Sequence, residues 1–138
     1  MTTPTDSESG TDSDIDAEAL VESFIGAWNL DSEADRLALL ESCCEPQAVF
    51  ISEEGRLDGI QALSDSIEHM RVECPLAVVS YFPPQEHHSF LRFRWQTDLN
   101  NGFADPFWGD DFVEIGDDGR FRTVVSFKAG EVDLPPLL

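Results

Sequence analysis

Asp111 interrupts a strand face that is otherwise apolar, and its carboxyl group is the leading candidate for chemistry. Residues 107–115 alternate as a half-buried strand does, because successive strand side chains point to opposite faces. A carboxylate among apolar neighbours must find a partner, keep its proton or line a cavity that uses it. We therefore predict that Asp111 faces a pocket, as a hydrogen-bond donor when protonated or a base when ionised. The alternatives are a carboxyl tied to a backbone N–H or an arginine, and a bulge that turns it outward.

His87 is the second candidate, because histidine titrates near neutral pH and can relay a proton. If the alternation of the strand predicted at residues 88–97 extends back to His87, its imidazole shares a face with Leu91, Phe93 and Trp95. We expect that face to point inward, which would bring His87 to the mouth of the pocket. The alternative is a histidine at the rim, bonded to backbone or water.

The elements that would position these residues are three helices followed by a run of strands. Apolar residues recur at helical spacing in residues 16–29, in a second helix after Ser32 and in residues 59–73, with Asp16 and Ser32 as expected N-caps. Strands are predicted at residues 48–52, 76–82, 88–97, 107–115 and 121–128. Helices first and antiparallel strands afterwards indicate an α+β fold with the helices on one face of a sheet.

The cysteines are expected to be small, reduced core residues. Cys43 and Cys44 are predicted to face inward from the second helix, with Pro46 closing that region. Adjacent cysteines are poor disulfide partners, and no zinc-binding spacing includes Cys74. The sequence therefore predicts no disulfide, no metal site and no cofactor.

The charge is extreme for a chain of 138 residues, with 28 acidic side chains against 8 lysines and arginines and a net charge of -20. Such a chain repels phosphate backbones and anionic membranes, so neither nucleic acid nor membrane is an expected partner. The acidity indicates a solubility device, compatible with a high-salt cytoplasm. Without a secretory signal or an apolar span, we expect a cytoplasmic protein. We predict one domain at residues 16–130, between a disordered acidic tail, 1–15, and an extended tail, 131–138.

Three stretches, residues 24–29, residues 48–59 and residues 111–121, together resemble the nuclear-transport-factor-2-like superfamily, and more narrowly its SnoaL-like polyketide cyclase and ketosteroid-isomerase-like branch. The resemblance covers about residues 17–128. It implies a cone-shaped, curved antiparallel or mixed sheet packed by three N-terminal helices, enclosing an apolar pocket and often dimerising through the sheet. Members include isomerases, cyclases, dehydratases and proteins without activity.

The resemblance also allows a comparison of catalytic positions. The ketosteroid isomerases keep an acid at the position of Asp111, where it stays protonated and donates to a developing oxyanion. Their helix-one tyrosine falls at Phe24, which has no hydroxyl, and their general-base aspartate falls at Ser52. Steroid isomerisation by that mechanism is therefore not predicted.

These predictions define two surfaces, a ligand pocket and the opposite face of the sheet. Side chains from the helices and strands would line the ligand pocket: Phe24, Trp28, Phe50, Ser52, Leu91, Phe93, Trp95 and Val113. The opposite sheet face mixes aromatic and arginine side chains, which is an interface composition, and we expect a homodimer through it. The residues expected in that interface are Phe90, Arg92, Arg94, Trp108 and Phe112.

Three functions compete at this point. The chain is a metal-independent isomerase-, cyclase- or lyase-type enzyme that acts on a small apolar molecule through Asp111, or a binding module with the same pocket and no chemistry. The third possibility is a dimerising scaffold whose pocket is filled by its own side chains. A cavity of several hundred Å³ beside Asp111 would favour the first two.

Overall fold

The computed structural model describes residues 16–129. The predicted tails, residues 1–15 and 131–138, lie outside the described residues. The elements in chain order are α1 (Ala17–Ala27), α2 (Glu33–Cys43), β1 (Cys44–Ser52), β2 (Gly55–Asp58), α3 (Ile60–Glu73), β3 (Val78–Tyr81), β4 (Gln85–His87), β5 (Phe90–Asp98), β6 (Phe107–Ile115) and β7 (Phe121–Lys128).

The first two helices begin where the sequence predicts. The Asp16 side chain accepts a hydrogen bond of 3.1 Å from the backbone N–H of Ala19. The Ser32 hydroxyl accepts one of 3.3 Å from the N–H of Asp35. Each bond satisfies a backbone donor that has no partner within the first turn, so both predicted N-caps are confirmed. None of α1, α2 and α3 has the length and apolar character that a bilayer crossing requires.

The strands form one curved sheet in the order β2-β1-β7-β6-β5-β3, with β4 also paired to β5. The β1–β7 pair is parallel and the other pairs are antiparallel, so the sheet is mixed. Its edge strands β2 and β3 do not pair with each other, so the sheet does not close. Three helices cover its inner face. The predicted α+β fold, a cone of curved sheet packed by three N-terminal helices, is confirmed.

The start of β1 differs from the prediction. Cys44 caps α2 and is the first residue of β1 rather than a helix residue, although its side chain is buried as expected. Pro46 lies within the strand, where the pairing with β7 shifts register between Cys44 and Val49. A proline lacks the N–H that a regular ladder needs, and an irregular stretch of pairing accommodates it. The hairpin strand β2 was also not predicted, because only Leu57 among its four residues is even partly buried.

The prediction that His87 and Trp95 share one face of a single strand is wrong. His87 ends the short strand β4, and the chain reverses at His88 and Ser89 before β5 begins, with His87 paired to Phe90. His88 has a φ of 58°, the left-handed conformation that such a tight reversal uses. Because the two strands are separate, the alternation of β5 does not extend to His87, whose side chain is exposed.

The core lies between the helices and the inner face of the sheet. Its centre is the ring of Phe24 on α1, whose centroid lies 6.2 Å from that of Phe50, 6.3 Å from that of Phe93 and 5.5 Å from that of Phe121. All four side chains are buried. Full burial of each ring contributes roughly 1.5–3 kcal/mol, so this cluster is a main source of stability.

A buried arginine joins the helices to one another. The Arg36 side chain is 1% exposed. Its guanidinium donates to Ser64 Oγ at 2.9 Å, to the carbonyl oxygen of Leu30 at 2.9 Å and to Glu68 Oε1 at 2.7 Å. A buried charge is tolerated when its donors are used in this way. Arg36 therefore fixes α2 against α3.

Candidate functional site

Burial of the inner face of the sheet is less complete at one end than at the other, although Thr97 and Gly109 at that end are buried. At one end the paired residues Leu91, Val113 and Val124 are 3%, 1% and 3% exposed. At the other end Trp95 is half-buried, and Lys128, which pairs with Gly109, is exposed. We call this second end the open end, defined by Trp95, Phe107, Gly109 and Lys128.

Asp111 lies between the packed part of the inner face and the open end. It pairs with Phe93 on β5 and Ser126 on β7, and its side chain is 5% exposed. Its Oδ1 accepts a hydrogen bond of 2.9 Å from the indole Nε1 of Trp95. Asp111 therefore points inward as predicted, with an indole rather than a backbone N–H or an arginine as its donor. The outward-turning bulge that the sequence left open does not occur at this residue.

The surroundings of Asp111 change its acidity. Burial, which removes water from the charged form, raises the pKa of the Asp111 carboxyl to about 6. Hydrogen bonds from Ser126 and Trp95 favour the carboxylate and limit this rise, while the negative charge of Asp110 adds to it. A carboxyl with a pKa of about 6 exists in both protonation states near neutral pH, which suits a group that gives and takes a proton.

Gly109 makes room for the indole that binds Asp111. A Cβ placed on Gly109 would lie 2.4 Å from Trp95 Cζ2 and 2.6 Å from the carbonyl oxygen of Phe127. The indole of Trp95, the residue that pairs with Gly109, therefore lies directly over the Gly109 backbone. The ring of Phe107 packs edge-on against it at a centroid distance of 6.0 Å. Glycine at position 109 is thus required by the orientation of Trp95.

The last strand supplies two residues that the sequence did not assign to the site. The facing of β7 could not be predicted because β6 pairs Glu114 with Thr123 but Ile115 with Phe121, so β7 has an extra residue at this point. This bulge lets Phe121 and Val124 both face inward, against simple alternation. Beyond it, Ser126 and Lys128 are set on the inner face. Both sides of this strand are partly apolar in the sequence, so the pattern does not indicate which side faces inward.

The remaining predicted pocket residues fall into three groups. Those buried in the core are Phe24, Phe50, Leu91, Phe93 and Val113. Trp28 is half-buried against the core, as is Trp95. Ser52 is exposed at the end of β1, and its hydroxyl accepts a hydrogen bond of 3.2 Å from the N–H of Glu54 in the turn. Ser52 and His87 are thus exposed, whereas the others lie in the core or beside it.

Two surface cavities are found elsewhere on the described part of the chain. One, of about 290 Å³, lies between α1 and β3 and is lined by Ile25, Asn29, Tyr81 and their neighbours. The other, of about 360 Å³, is lined by Arg36 and four acidic residues: Asp31, Glu33, Asp65 and Glu68. Asp111 lines neither of them, so the pocket that the sequence predicted beside Asp111 is not one of these two cavities. Within residues 16–129 no group of three or more histidine, cysteine, aspartate or glutamate side chains is placed to hold a metal ion.

The outer face of the sheet carries aromatic and charged side chains, as predicted. Arg94 forms a two-pronged ion pair with Asp110, at 3.0 and 3.4 Å, and its guanidinium carbon lies 4.0 Å from the centre of the Trp108 ring. Phe112 packs edge-on against Phe127 at a centroid distance of 5.7 Å. Several of these side chains are well exposed: Phe90 at 55%, Trp108 at 38%, Phe112 at 42% and Phe127 at 59%.

No protein-family model and no curated protein sequence matches the chain. Solved structures do match. A proposed isomerase of the SnoaL-like family from Agrobacterium tumefaciens superposes with a TM-score of 0.72 at 24% identity, covering 80% of this chain and 95% of that one. A SnoaL-like protein of unknown function from Burkholderia thailandensis has a TM-score of 0.65 at 16% identity, with 83% and 95% covered.

A proposed polyketide cyclase from Sinorhizobium meliloti adds a third match, with a TM-score of 0.62 at 16% identity and coverage of 83% and 96%. Identities at this level establish the architecture and leave the activity open. The cone-shaped sheet, the three helices and these superpositions together show that the chain has the nuclear-transport-factor-2-like fold, in which SnoaL-like proteins occur.

Proposed function

We propose that this domain binds a small, largely apolar molecule at the open end of the inner face, and that Asp111 exchanges a proton or a hydrogen bond with it. The observation that carries the proposal is the buried Asp111 carboxyl, held by the Trp95 indole at 2.9 Å and with its pKa raised to about 6. Perturbed carboxyls in apolar surroundings cluster at functional sites.

The neighbours of Asp111 suit such a ligand. Trp95 and Phe107 present partly exposed rings that can pack against an apolar molecule, and Ser126 adds a hydroxyl beside the carboxyl. Because Asp111 is 5% exposed beneath Trp95, a ligand reaches its oxygens when the indole shifts. The chemistry available is acid–base: the ionised carboxylate removes a proton from a carbon next to a carbonyl, and the protonated acid donates one to a developing oxyanion.

A proton-exchange assay tests this chemistry without knowledge of the natural substrate. The apolar ketone 2-tetralone is incubated with the protein in D2O, and loss of its α-protons is followed by NMR. We expect catalysed exchange that rises with pH through about 6, because the base must be ionised. Asp111→Asn should abolish the exchange. Asp58→Asn is the matched control, since it removes an exposed carboxylate on the distant strand β2 and should leave the rate unchanged.

A second candidate function is the scaffold without chemistry. The packing of Phe50, Phe93 and Phe121 around Phe24 favours it, since these rings occupy the space that a deep pocket would need. Native mass spectrometry of protein purified from its own host separates the candidates. A retained small molecule without proton exchange would indicate a binding module. Neither a retained molecule nor exchange would indicate the scaffold and overturn the first proposal.

We also propose that the domain forms a homodimer through the outer face. Phe90, Phe112, Phe127 and Trp108 lie exposed on three neighbouring strands. Exposed aromatic side chains grouped on one face of a sheet are costly on a monomer and are typical of a protein interface. The Arg94–Asp110 pair beside it supplies the polar groups that such interfaces place among their aromatic residues.

A further inference from the structure

We propose that Lys128 makes the open end selective for ligands that carry a carboxylate beside an apolar body. The inference rests on the proposed function, because it concerns the same site and names the class of its ligand. Lys128 is the only lysine of the sequence. Pairing with Gly109 sets it on the inner face, on the same side of the sheet as Asp111.

The position of the ammonium group supports this assignment. Lys128 Nζ lies 4.9 Å from the centre of the Phe107 ring, so its charge stands over an aromatic surface at the open end. Gly109, its paired residue, has no side chain, and the space above that backbone is taken by the Trp95 indole. The lysine and two aromatic rings thus meet at one place, with a cation at the edge of an apolar platform.

The electrostatic surroundings make this cation unusual. The chain carries a net charge of -20, and most of its arginines pair with a carboxylate. Within the part of the chain that the structure describes, Lys128 has no carboxylate within 4.0 Å. An exposed ammonium that forms no ion pair within residues 16–129 can bind the carboxylate of a ligand, whose ring system then packs on Trp95 and Phe107.

Lys128 and Asp111 interact with different parts of the ligand. Lys128 binds the anionic end of the molecule at the rim, and Asp111 meets the apolar part further in. A negative ligand approaching this protein is repelled by its overall charge, so the preference for an acid must come from a local cation. An apolar monocarboxylic acid should therefore bind more tightly than its methyl ester, although the ester avoids the general repulsion.

Calorimetric titration with 2-naphthylacetic acid and its methyl ester tests the assignment. We expect the wild type to bind the acid more tightly. Lys128→Met keeps the apolar stem and removes the charge, so Kd for the acid should rise about tenfold while Kd for the ester stays the same. Lys128→Arg should restore binding of the acid. Arg56→Met, on the distant strand β2, removes the same unit of charge and should change neither Kd.

The outcomes separate the two proposals. If the wild type binds both compounds and Lys128→Met weakens both equally or neither, the role of Lys128 is overturned and the binding site stands. If Arg56→Met weakens the acid as much as Lys128→Met does, the effect is one of overall charge and the assignment is also overturned. If the wild type binds neither compound, the proposed ligand site and the assignment of Lys128 both fail.

Discussion

The indole of Trp95 donates a hydrogen bond of 2.9 Å to the carboxylate of Asp111 on the neighbouring strand. The two residues are displaced by two pairs along the sheet, since Trp95 pairs with Gly109 and Asp111 pairs with Phe93. The absence of a side chain on Gly109 lets the indole lie across the backbone and reach the carboxylate. Trp95, Gly109 and Asp111 together thus produce a buried carboxyl whose Oδ1 accepts a hydrogen bond from the indole.

The first prediction concerns stability and pH. The raised pKa of Asp111 means that the folded state holds a proton that the unfolded state releases between its ordinary pKa of 3.8 and about 6. Asp111 therefore reduces the free energy of unfolding as pH rises through this window. Asp111→Asn lacks this penalty, so its unfolding free energy relative to wild type should increase by about 1 kcal/mol between about pH 5 and about pH 8.

Urea unfolding at both pH values measures this difference. Comparison with wild type cancels the titration of the many other acids. A constant difference between Asp111→Asn and wild type across the range would contradict a raised pKa.

The second prediction concerns tryptophan fluorescence. Because Trp95 Nε1 donates to Asp111, protonation of the carboxylate should change the emission of this indole with a midpoint near the Asp111 pKa of about 6. Trp95→Phe and Asp111→Asn should each abolish the transition. Trp108→Phe should preserve it, since Trp108 lies on the outer face under Arg94. A transition that survives in Asp111→Asn would have to come from another group, such as a histidine.

The third prediction concerns Gly109. The added methyl group of Gly109→Ala would overlap the Trp95 ring and a backbone oxygen, so we expect a loss of about 1–3 kcal/mol in unfolding free energy. The fluorescence transition should also shift or disappear as the indole is displaced. Gly26→Ala in α1 is the control, because its methyl group would meet only the side chain of Leu39 at 3.2 Å and alanine favours the helix. Equal effects of the two substitutions would argue against a specific fit between Gly109 and Trp95.

The fourth prediction concerns the outer face. We expect a dimer by light scattering coupled to size-exclusion chromatography, and Phe112→Glu should convert it to a monomer by placing a charge in the centre of the aromatic patch. Phe103→Glu changes a side chain that is 95% exposed in the loop before β6, and should leave the dimer intact. A monomeric wild type, or dissociation by both substitutions alike, would exclude this face as the interface.

The sequence predicted the parts of the fold that follow from local patterns. The periodicity of α1 and α3, the caps at Asp16 and Ser32 and the inward orientation of Asp111 depend on short stretches of chain, and all are confirmed. The alternation of β6 was sufficient to place Asp111 because this strand is regular over its whole length.

The sequence failed where the structure depends on distant pairing. The reversal at His88 removed His87 from the predicted face, since a left-handed residue other than glycine leaves no clear mark in the sequence. The bulge in β7 hid the inward orientation of Ser126 and Lys128. No prediction was made for Arg36, because its burial is explained only by partners on α3 and in the loop after α1. Such contacts join residues far apart in the chain.

The most direct test of the account is the titration of the Asp111 carboxyl itself, followed through its side-chain 13C chemical shift and assigned by the loss of the signal in Asp111→Asn. We predict a midpoint near pH 6, moving higher in Trp95→Phe because a donor that favours the carboxylate is removed. A midpoint near the ordinary value of 3.8 would show a solvated carboxyl and contradict the buried, proton-exchanging group on which the proposed function depends.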